Sequence, residues 1–394
     1  MDSSKKKKIL IVNKSFVVGG IQSSMLNMIN SLKDVYDIDL CVFNNAGQLK
    51  DRLPEGINVI NTNKLLQLHG MSVGEAKKSG FFVYLARLFL GGFDRLFTNK
   101  LFFNIAMMLQ KPLKGYDAAI AYHHEDSPNA VVSGFYRFVS KKTDAPIKLG
   151  WIHYDPYKVS FDDRRNEKYM EKMTKIVCVS KGTADIFKKR HPDLKVPVDY
   201  CYNMQDIGRI QRLKDEKQEV PFSDECFNCF SACRLSPQKA IPRAVRAFTP
   251  VFKKFPDIRW YIAGDGEDLS ELKRLISTNG LEDSVVLLGS LSNPYPYFSK
   301  CDLYIQPSIY EAAPMVYGEA IICKTPILTT DNISASEMVK PEYGVVCENS
   351  EDGLRDAFCM MAENRENVIK LKTHLELNEY SNQEAIDKIN LLIN

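Results

Sequence analysis

Two glutamates frame the segment SIYEAAPMVYGEA, where Glu311 and Glu319 lie on either side of Pro314. The apolar run DLYIQPS ends at the first residue of this segment, Ser308, so we expect Glu311 in a loop at the carboxyl end of a strand. Proline is favoured in the first turn of a helix, which predicts that PMVYGEAIICK is a helix carrying Glu319. Carboxylates accept hydrogen bonds from adjacent sugar hydroxyls, and a helix N-terminus favours a phosphate. The alternative is that both glutamates are ordinary solvated charges.

The segment ACRLSPQKAIP has the same layout: a strand, a polar loop with Arg234 and Lys239, and a helix with Pro242 near its start. Two cations facing a departing diphosphate would neutralise the charge that other enzymes neutralise with a divalent metal. The alternative is a pair of surface cations without a ligand.

Three further sites give weaker signals. His153, in GWIHYDP, follows a predicted strand and can hydrogen-bond a sugar hydroxyl or an acceptor, although a structural histidine fits equally well. Gly19 and Gly20 form a strand-to-helix turn whose backbone amides can approach an anion or a sugar. Gly264 and Gly266 lie in AGDGEDL, which lacks the complete dinucleotide fingerprint and does not indicate NAD.

No metal site is predicted. The segment YHHED, residues 123–126 with the tyrosine before them, resembles a ligand cluster, but one short loop rarely supplies a complete site. Cys226, Cys229 and Cys233 have zinc-like spacing, yet they fall in a predicted buried strand and no second ligand pair follows.

Short β-like runs alternate with helical patterns along the whole chain, which is typical of parallel sheets with crossover helices. The pattern restarts near residue 203. We therefore predict an α/β protein of two Rossmann-like domains, 1–202 and 203–376, with a C-terminal helix over 377–394 that packs back on the first domain. Such sheets bind ligands at the carboxyl ends of their strands, here in an expected interdomain cleft.

Charge is distributed unevenly: residues 1–205 contain 31 lysines and arginines against 20 acidic residues, and the remainder contains 21 against 29. A basic half can face anionic lipid, a polyanionic acceptor or nucleic acid. Nucleic acid is not expected, because the cations are dispersed and no recognition motif is present. The apolar and cationic stretch 81–103 favours contact with an anionic membrane leaflet, and the alternative is a pair of core helices with solvated cations.

Processing and compartment signals are few. Lys5 to Lys8 precede only four apolar residues, too few for a signal peptide. The apolar stretch 81–108 is interrupted by charges and falls short of a transmembrane span. Ten scattered cysteines fit a reducing compartment. We therefore expect a cytoplasmic protein, peripheral on the inner membrane face if the lipid contact is formed.

The second half resembles the retaining nucleotide-sugar glycosyltransferases of family four, also described as glycosyl transferases group 1, which have the GT-B fold. The resemblance is carried by RLSPQK, IAGDGED, VVLLGSL and IYEAAPMVYGEA, in that order, over residues 229–331. The first half matches more loosely, through VVGGIQSSMLNMINSL and WIHYD.

The resemblance implies a role for each matched residue. The catalytic set would be His153 beside the sugar, Glu311 on the transferred sugar, and Arg234 and Lys239 on the donor diphosphate. The other donor-binding residues would be Gly19 and Gly20 near the phosphates and acceptor, Gly264, Leu291 beside the base, Ala313, Pro314, Met315 and Val316 through their backbone, and Glu319 on the ribose.

The implied activity is hexosyl transfer with retention, without a metal or other cofactor, from a nucleotide-diphosphate sugar, a UDP-sugar in the first instance. The acceptor would be a glycan or a lipid-linked sugar in cell-surface polysaccharide synthesis. Two alternatives remain, a nucleotide-sugar epimerase and a catalytically silent nucleotide-binding partner subunit. Family members often have glycine where this chain has Ala240 and Ala312, and glutamate where it has Gln22. These differences leave the identity of the sugar open.

Overall fold

A computed structural model describes residues 6–97, 100–125, 133–159 and 163–394. The chain divides into two compact units. The first unit comprises Met1–Met204 together with Asn382–Asn394, and the second comprises Gln205–Ser381.

The first unit is built on a parallel sheet with strand order β3-β2-β1-β4-β5-β6-β7 among its described residues. Its central strands are almost entirely buried, because crossover helices cover parallel sheets on both faces. Its strands are β1 (Lys8–Asn13), β2 (Asp37–Val42), β3 (Asn58–Asn61), β4 (Ala118–Ala121), β5 (Ile147–Ile152), β6 (Lys175–Cys178) and β7 (Val198–Tyr200). Its helices are α1 (Gly20–Leu32), α2 (Lys64–Gly70), α3 (Val73–Ser79), α4 (Phe81–Phe97), α5 (Lys100–Leu109), α6 (Phe135–Lys142), α7 (Glu167–Met170), α8 (Lys181–Arg190) and, from the chain end, α17 (Gln383–Ile393).

The second unit repeats the scheme with a parallel sheet of order β10-β9-β8-β11-β12-β13. Its strands are β8 (Phe227–Ala232), β9 (Ile258–Ala263), β10 (Val285–Gly289), β11 (Leu303–Gln306), β12 (Ile327–Thr330) and β13 (Gly344–Cys347). Its helices are α9 (Ile207–Lys214), α10 (Ile241–Lys254), α11 (Leu269–Asn279), α12 (Tyr295–Lys300), α13 (Met315–Ile322), α14 (Ala335–Met338), α15 (Glu351–Glu363) and α16 (Arg365–Leu377).

The strand order of the second sheet determines which of its loops meet. β8 and β11 are hydrogen-bonded neighbours although three helices and two strands separate them in sequence. The chain runs from β8 to β9 towards one edge of the sheet and from β11 to β12 towards the other, so the strand order reverses between β8 and β11. Open α/β sheets bind ligands at such a switch point, outside the carboxyl ends of the strands. The loops that follow β8 and β11 are therefore the ones to inspect.

The strand-like runs of the sequence form strands, among them KILIVN as β1, CFNCFSAC as β8 and DLYIQPS as β11, and the differences lie at the ends. β11 ends at Gln306, two residues earlier than the run DLYIQPS predicted, so Ser308 belongs to the loop. Pro314 caps α13 from outside instead of occupying its first turn. The three-residue edge strand β7 was missed, because a short half-buried strand has no distinctive hydrophobic pattern.

The C-terminal helix α17 belongs to the first unit and begins at Gln383, later than the 377 expected from the sequence, since α16 continues to Leu377. The Tyr36 hydroxyl donates to Asn390 Oδ1 at 2.5 Å, and Lys388 forms an ion pair with Asp199 at 2.6 Å. These contacts fasten the chain end to the first sheet.

In the part of the chain that the structure describes, none of the helices combines the length and apolarity that crossing a bilayer requires.

Gly264 lies where the loop after β9 contacts the loop after β8. Its φ is +144°, and a Cβ would lie 1.9 Å from the Cys233 carbonyl oxygen. Gly280, in the same unit, has φ +64° but open space around it. We expect Gly280→Ala to lower the free energy of unfolding by about 1 kcal/mol, and Gly264→Ala to lower it by about 3 kcal/mol or more because strain and a backbone clash combine.

The measurement is urea unfolding followed by tryptophan fluorescence in a Trp151→Phe background, where Trp260, buried in the core of the second unit, is the remaining reporter. Equal losses for the two glycine variants would show that the loops can separate at little cost.

Candidate active site

Glu311 lies in the loop between β11 and α13 and is 7% exposed. Its Oε1 accepts hydrogen bonds from Ser308 Oγ at 2.8 Å and Gln306 Nε2 at 3.2 Å, and it forms an ion pair with Lys239 Nζ. Its other oxygen, Oε2, is approached by Gln238 Nε2 at 3.5 Å, the limit of a hydrogen bond. One carboxylate oxygen is thus fully engaged by the protein and the other can still accept a strong bond.

Lys239 and Arg234 follow β8, as the sequence predicted, and they differ in their surroundings. Lys239 is half-buried against Glu311. Arg234 is exposed and forms no hydrogen bond or ion pair with any of the described residues. Because strands β8 and β11 are adjacent, the loop that carries both cations lies beside the loop that carries Glu311.

The loop after β8 is backbone-strained where it enters α10. Ala240 has φ +52°, in the left-handed region that costs a residue with a side chain about 1 kcal/mol. The glycine that the family resemblance implies at this position would adopt this conformation without strain. Ala312, the other position where glycine is common, does not have a positive φ.

Glu319 lies five residues into α13, as expected. Its Oε1 accepts a hydrogen bond from the Tyr295 hydroxyl at 3.3 Å, and the guanidinium of Arg209 lies 5.8 Å from the centre of the Tyr295 ring. The first turn of α13 contains no acidic residue and no side-chain cap. Its backbone amides, at Met315 and Val316, are therefore oriented as an anion site would require.

Gly264 and Leu291 occupy structural positions in the second unit. Gly264 lets the loop after β9 run against the loop after β8, where Leu235 N donates to Asp265 O at 2.9 Å. Leu291 is half-buried against the core cluster that includes Tyr295. Ala313 is half-buried and Pro314 is buried in the loop that leads into α13.

In the first unit, the glycine pair begins α1. Gly19 is the N-cap with an extended φ of −176°, and Gly20 is the first helical residue with open space where a side chain would be. A Cβ on Gly19 would lie 2.6 Å from Gln22 Oε1, the end of a flexible side chain. The turn is open at Gly20, so a ligand can approach the backbone there.

His153 follows β5 and is half-buried, with Nε2 2.8 Å from the Tyr122 carbonyl oxygen. Burial, reinforced by His124 and His123, holds the pKa of His153 well below its usual range. The ring is therefore neutral near pH 7. A carbonyl only accepts, so Nε2 carries the proton and Nδ1 is left as a hydrogen-bond acceptor.

His123 and Glu125, which follow β4, make structural contacts. His123 stacks on Phe135 with ring centres 4.8 Å apart. Glu125 accepts from the backbone amides of Gly134 and Tyr136 and from Ser133 Oγ, so it caps the start of α6, and burial raises its pKa. Asp126 lies outside the described residues. Among those residues, no group of three or more potential ligands is close enough to hold a metal.

Four contact residues were missed in the sequence: Gln306, Ser308, Gln238 and Tyr295. Gln306 and Ser308 left a signal, because they are polar residues at the end of an otherwise apolar strand run. Gln238 and Tyr295 left none, because their importance depends on which loops lie next to them.

Two solved structures resemble this chain over nearly its whole length. Anabaena HepE in complex with UDP-glucose has a TM-score of 0.65 and 18% identity, with 98% of each chain covered. TarM, solved from S. aureus, has a TM-score of 0.66 and 15% identity, with 100% of each chain covered. These likenesses show the fold: the chain has the GT-B fold of two Rossmann-like α/β units, as predicted.

Residues 213–382 match the family described as glycosyl transferases group 1. The chain is 27% identical over 183 residues to an uncharacterized glycosyltransferase of Methanocaldococcus jannaschii, covering 45% of each. It is 35% identical over 231 residues to the poly(glycerol-phosphate) alpha-glucosyltransferase of Bacillus subtilis, covering 49% of this chain and 34% of that protein.

A third relative, 28% identical over 196 residues, is the N-acetylgalactosamine-N,N'-diacetylbacillosaminyl-diphospho-undecaprenol 4-alpha-N-acetylgalactosaminyltransferase of Campylobacter jejuni, with 49% of this chain and 51% of that protein covered. The chain spans about half or less of the length of the curated relatives it matches. The match of residues 213–382 to the glycosyl transferases group 1 family agrees with the resemblance recognised from the motifs of the second half.

The lowered pKa of His153 has a consequence for stability. Below the pKa of about 6.5 that an exposed histidine has, the unfolded chain takes up a proton that the folded chain does not. This group's contribution to stability is therefore complete above pH 6.5 and is lost as the pH falls below it. His153→Gln keeps a donor for the Tyr122 carbonyl and removes the titration, so its melting temperature should fall less than the wild type's between pH 7 and pH 5.

The comparison is made by differential scanning calorimetry of both proteins at several pH values. Parallel pH curves would show that His153 is not held neutral by its surroundings.

Proposed function

We propose that this chain is a retaining, metal-independent glycosyltransferase that moves a hexosyl group from a nucleotide-diphosphate sugar to a glycan or lipid-linked acceptor. One observation carries the proposal: exposed Arg234, with no partner among the described residues, lies in the same loop as Lys239, next to a buried carboxylate with one oxygen available. That arrangement suits a ligand with a double negative charge at one end and hydroxyl groups at the other.

The two cations and the start of α13 would bind the donor diphosphate. The ammonium of Lys239 has three donors, and the bond to Glu311 uses one of them. At about 4 Å and an effective dielectric near 20, each cation stabilises a unit negative charge by roughly 4 kcal/mol. The stabilisation is greatest when the leaving diphosphate gains charge, which is how preorganised cations accelerate a reaction.

The sugar and the nucleoside would be bound by the two glutamates. Oε2 of Glu311 accepts from the hydroxyls of the transferred sugar, with the backbone from Ala313 to Val316 beside it, and Glu319 accepts from the ribose. Leu291 would border the base. The neutral imidazole of His153 would accept a hydrogen bond from a sugar hydroxyl through Nδ1. The open turn at Gly20 would lie near the phosphates and the acceptor.

The proposed chemistry retains the anomeric configuration. The acceptor hydroxyl attacks the anomeric carbon from the side on which the diphosphate leaves. The bond from that carbon to the diphosphate oxygen breaks, a bond to the acceptor oxygen forms, and the acceptor proton passes to the diphosphate. No side chain acts as a nucleophile in this scheme. Catalysis rests on positioning and charge stabilisation.

The relatives support the substrate classes. Anabaena HepE has been solved with UDP and with UDP-glucose, which favours a uridine diphosphate sugar as donor. The names of the Campylobacter jejuni and Bacillus subtilis relatives include a lipid-linked diphospho-undecaprenol acceptor and a polymer acceptor. We propose an acceptor of one of these kinds and a role in cell-surface polysaccharide synthesis.

Removing either cation should abolish most of the activity. We expect Arg234→Ala and Lys239→Ala each to lower kcat by about a hundredfold or more, because a preorganised donor to the developing charge is lost. Arg274→Ala, which removes an exposed arginine from α11, is the matched control and should leave kcat unchanged.

The assay follows the release of nucleotide diphosphate from a panel of nucleotide sugars with and without acceptor. Near-normal turnover in both variants would contradict the proposal. Interconversion of the sugar without release would indicate an epimerase, and donor binding without turnover in the wild type would indicate a silent subunit.

We also propose a peripheral membrane contact at the cytoplasmic face through α4 and α5. Large apolar side chains are exposed on both helices, among them Phe82 at 84%, Phe89 at 65% and Met108 at 82%. Exposed cations flank the pair: Lys77 and Lys78 precede it, and Lys111 and Lys114 follow it. An apolar helical face bordered by lysines is suited to the interface of a bilayer with anionic lipid, where a lipid-linked acceptor would be met.

The contact is tested by sedimentation with vesicles that contain or lack anionic lipid. The variant Phe82→Ser/Phe89→Ser should bind anionic vesicles at least about a hundredfold more weakly, because each phenylalanine buried in the bilayer interface contributes about 1.5–3 kcal/mol. Ile369→Ser/Leu377→Ser, which removes exposed apolar side chains from α16, should bind as the wild type does. Wild-type protein that stays in the supernatant with both vesicle types would favour a soluble acceptor.

A further inference from the structure

Six consecutive backbone carbonyls, those of residues 306–311, each accept a hydrogen bond from a side chain elsewhere in the second unit. This segment runs from the end of β11 to Glu311 itself. The donors to carbonyls 306 through 311, in order, are Thr329, Arg243, Thr330, Asn349, Gln238 and Ser334, at 2.8, 2.9, 2.5, 2.8, 3.0 and 3.4 Å. We call these six side chains the carbonyl cradle.

Loops are generally more mobile than the elements they connect, so a loop in which side chains hold one carbonyl after another is unusually restricted in conformation. The peptide planes of residues 306–310 cannot rotate without breaking these bonds. Gln306 and Ser308, which hold the Glu311 carboxylate, are members of the same segment. The cradle therefore controls where the carboxylate lies.

Arg243 and Asn349 are coupled within the cradle. Arg243 Nη2 donates to the Pro307 carbonyl at 2.9 Å and to Asn349 Oδ1 at 2.8 Å. Asn349 Nδ2 in turn donates to the carbonyls of Ile309 and Asp331, both at 2.8 Å. This pair joins the start of α10 to the segments that follow β11, β12 and β13.

We propose that Arg243 and Asn349 are positioning residues for Glu311, which hold the loop so that its Oε2 is aimed at the transferred sugar. This inference rests on the proposed function of Glu311 as the sugar-binding carboxylate. Neither residue is hydrogen-bonded to Glu311 in the described structure, and both lie outside the motifs that carry the family resemblance. Their effect on the sugar is transmitted by the backbone.

A positioning role differs from a general stabilising role in what it changes. UDP contains the diphosphate and the nucleoside, whereas UDP-glucose adds the sugar that Glu311 would contact. Loss of the Arg243 or Asn349 side chain should therefore weaken binding of UDP-glucose and leave binding of UDP unchanged. A variant that merely loosens the second unit would weaken both ligands alike.

The first experiment measures both dissociation constants by calorimetry for Asn349→Ala, Arg243→Met and the control Arg246→Met, which removes an exposed arginine from the same helix. We expect the first two variants to bind UDP-glucose about tenfold more weakly, since each removes at least two hydrogen bonds that hold the loop and together these contribute roughly that factor. UDP affinity should change less than about twofold in all three variants, within the spread of surface substitutions.

A second background tests transmission through Glu311. In Glu311→Gln protein, Asn349→Ala should have no further effect on UDP-glucose affinity, because the group that it positions is already altered. The same tenfold loss in both backgrounds, or equal losses for UDP and UDP-glucose, would overturn the proposal. Asn349→Asp keeps the acceptor for Arg243 and removes both donors, so it should behave as Asn349→Ala does.

Hydrogen exchange measured without ligand reports on the carbonyl cradle whether or not the protein binds a UDP-sugar. Hydrogen exchange of the free protein should show residues 306–314 exchanging about tenfold faster in Asn349→Ala than in the wild type, while β9 stays unchanged. Unaltered exchange in this segment would contradict the proposal that Asn349 holds the loop, whatever ligand the protein binds. Wild-type protein that binds neither UDP nor UDP-glucose, yet shows the expected exchange difference, would contradict the donor proposal and support the cradle.

Discussion

Burial of the Glu311 carboxylate is the constraint on which the arrangement of the second unit's functional loops depends. An ionised group removed from water has to be paired and hydrogen-bonded, and Lys239, Ser308 and Gln306 meet that requirement on one oxygen. The ammonium comes from the loop after β8 and the carboxylate from the loop after β11. The pair forms because these strands are neighbours in the sheet, so the sheet topology determines which charges meet at the site.

The backbone around the Glu311 and Lys239 pair is strained or tightly packed at several positions. Ala240 takes a left-handed conformation at the start of α10, and the glycines after β9 accept a contact with the neighbouring loop that no side chain would allow. Strain of this kind persists where the surrounding contacts over-determine it. Here those contacts are the carbonyl cradle on one loop and the Lys239 ion pair on the other. Rigid loops bearing one exposed arginine are suited to binding a charged ligand with little reorganisation.

The candidate site was partly predictable. Alternating strand and helix patterns placed Glu311, Lys239 and Arg234 after strands, and parallel topology brings such loops to one edge of a sheet. The distribution of contacts was not predictable, because it depends on rotamers and on loops distant in sequence. Asn349 reaches Ile309 across forty positions, and Glu125 accepts from the backbone amide of Tyr136 at the start of α6. The edge strand β7 was missed for the same reason, since pairing with β6 defines it and its own pattern does not.

The sequence by itself determined the fold class, the order of the motifs and the residue types available for binding a diphosphate and a sugar, because hydrophobic periodicity and turn chemistry are local properties of the chain. The tertiary structure alone decided which oxygen of Glu311 remains available, that Arg234 has no partner in the described part of the chain while Lys239 has one, and that His153 is neutral with Nδ1 as its acceptor. These properties depend on burial and on distances between segments far apart in sequence, and both arise only when the sheets have formed.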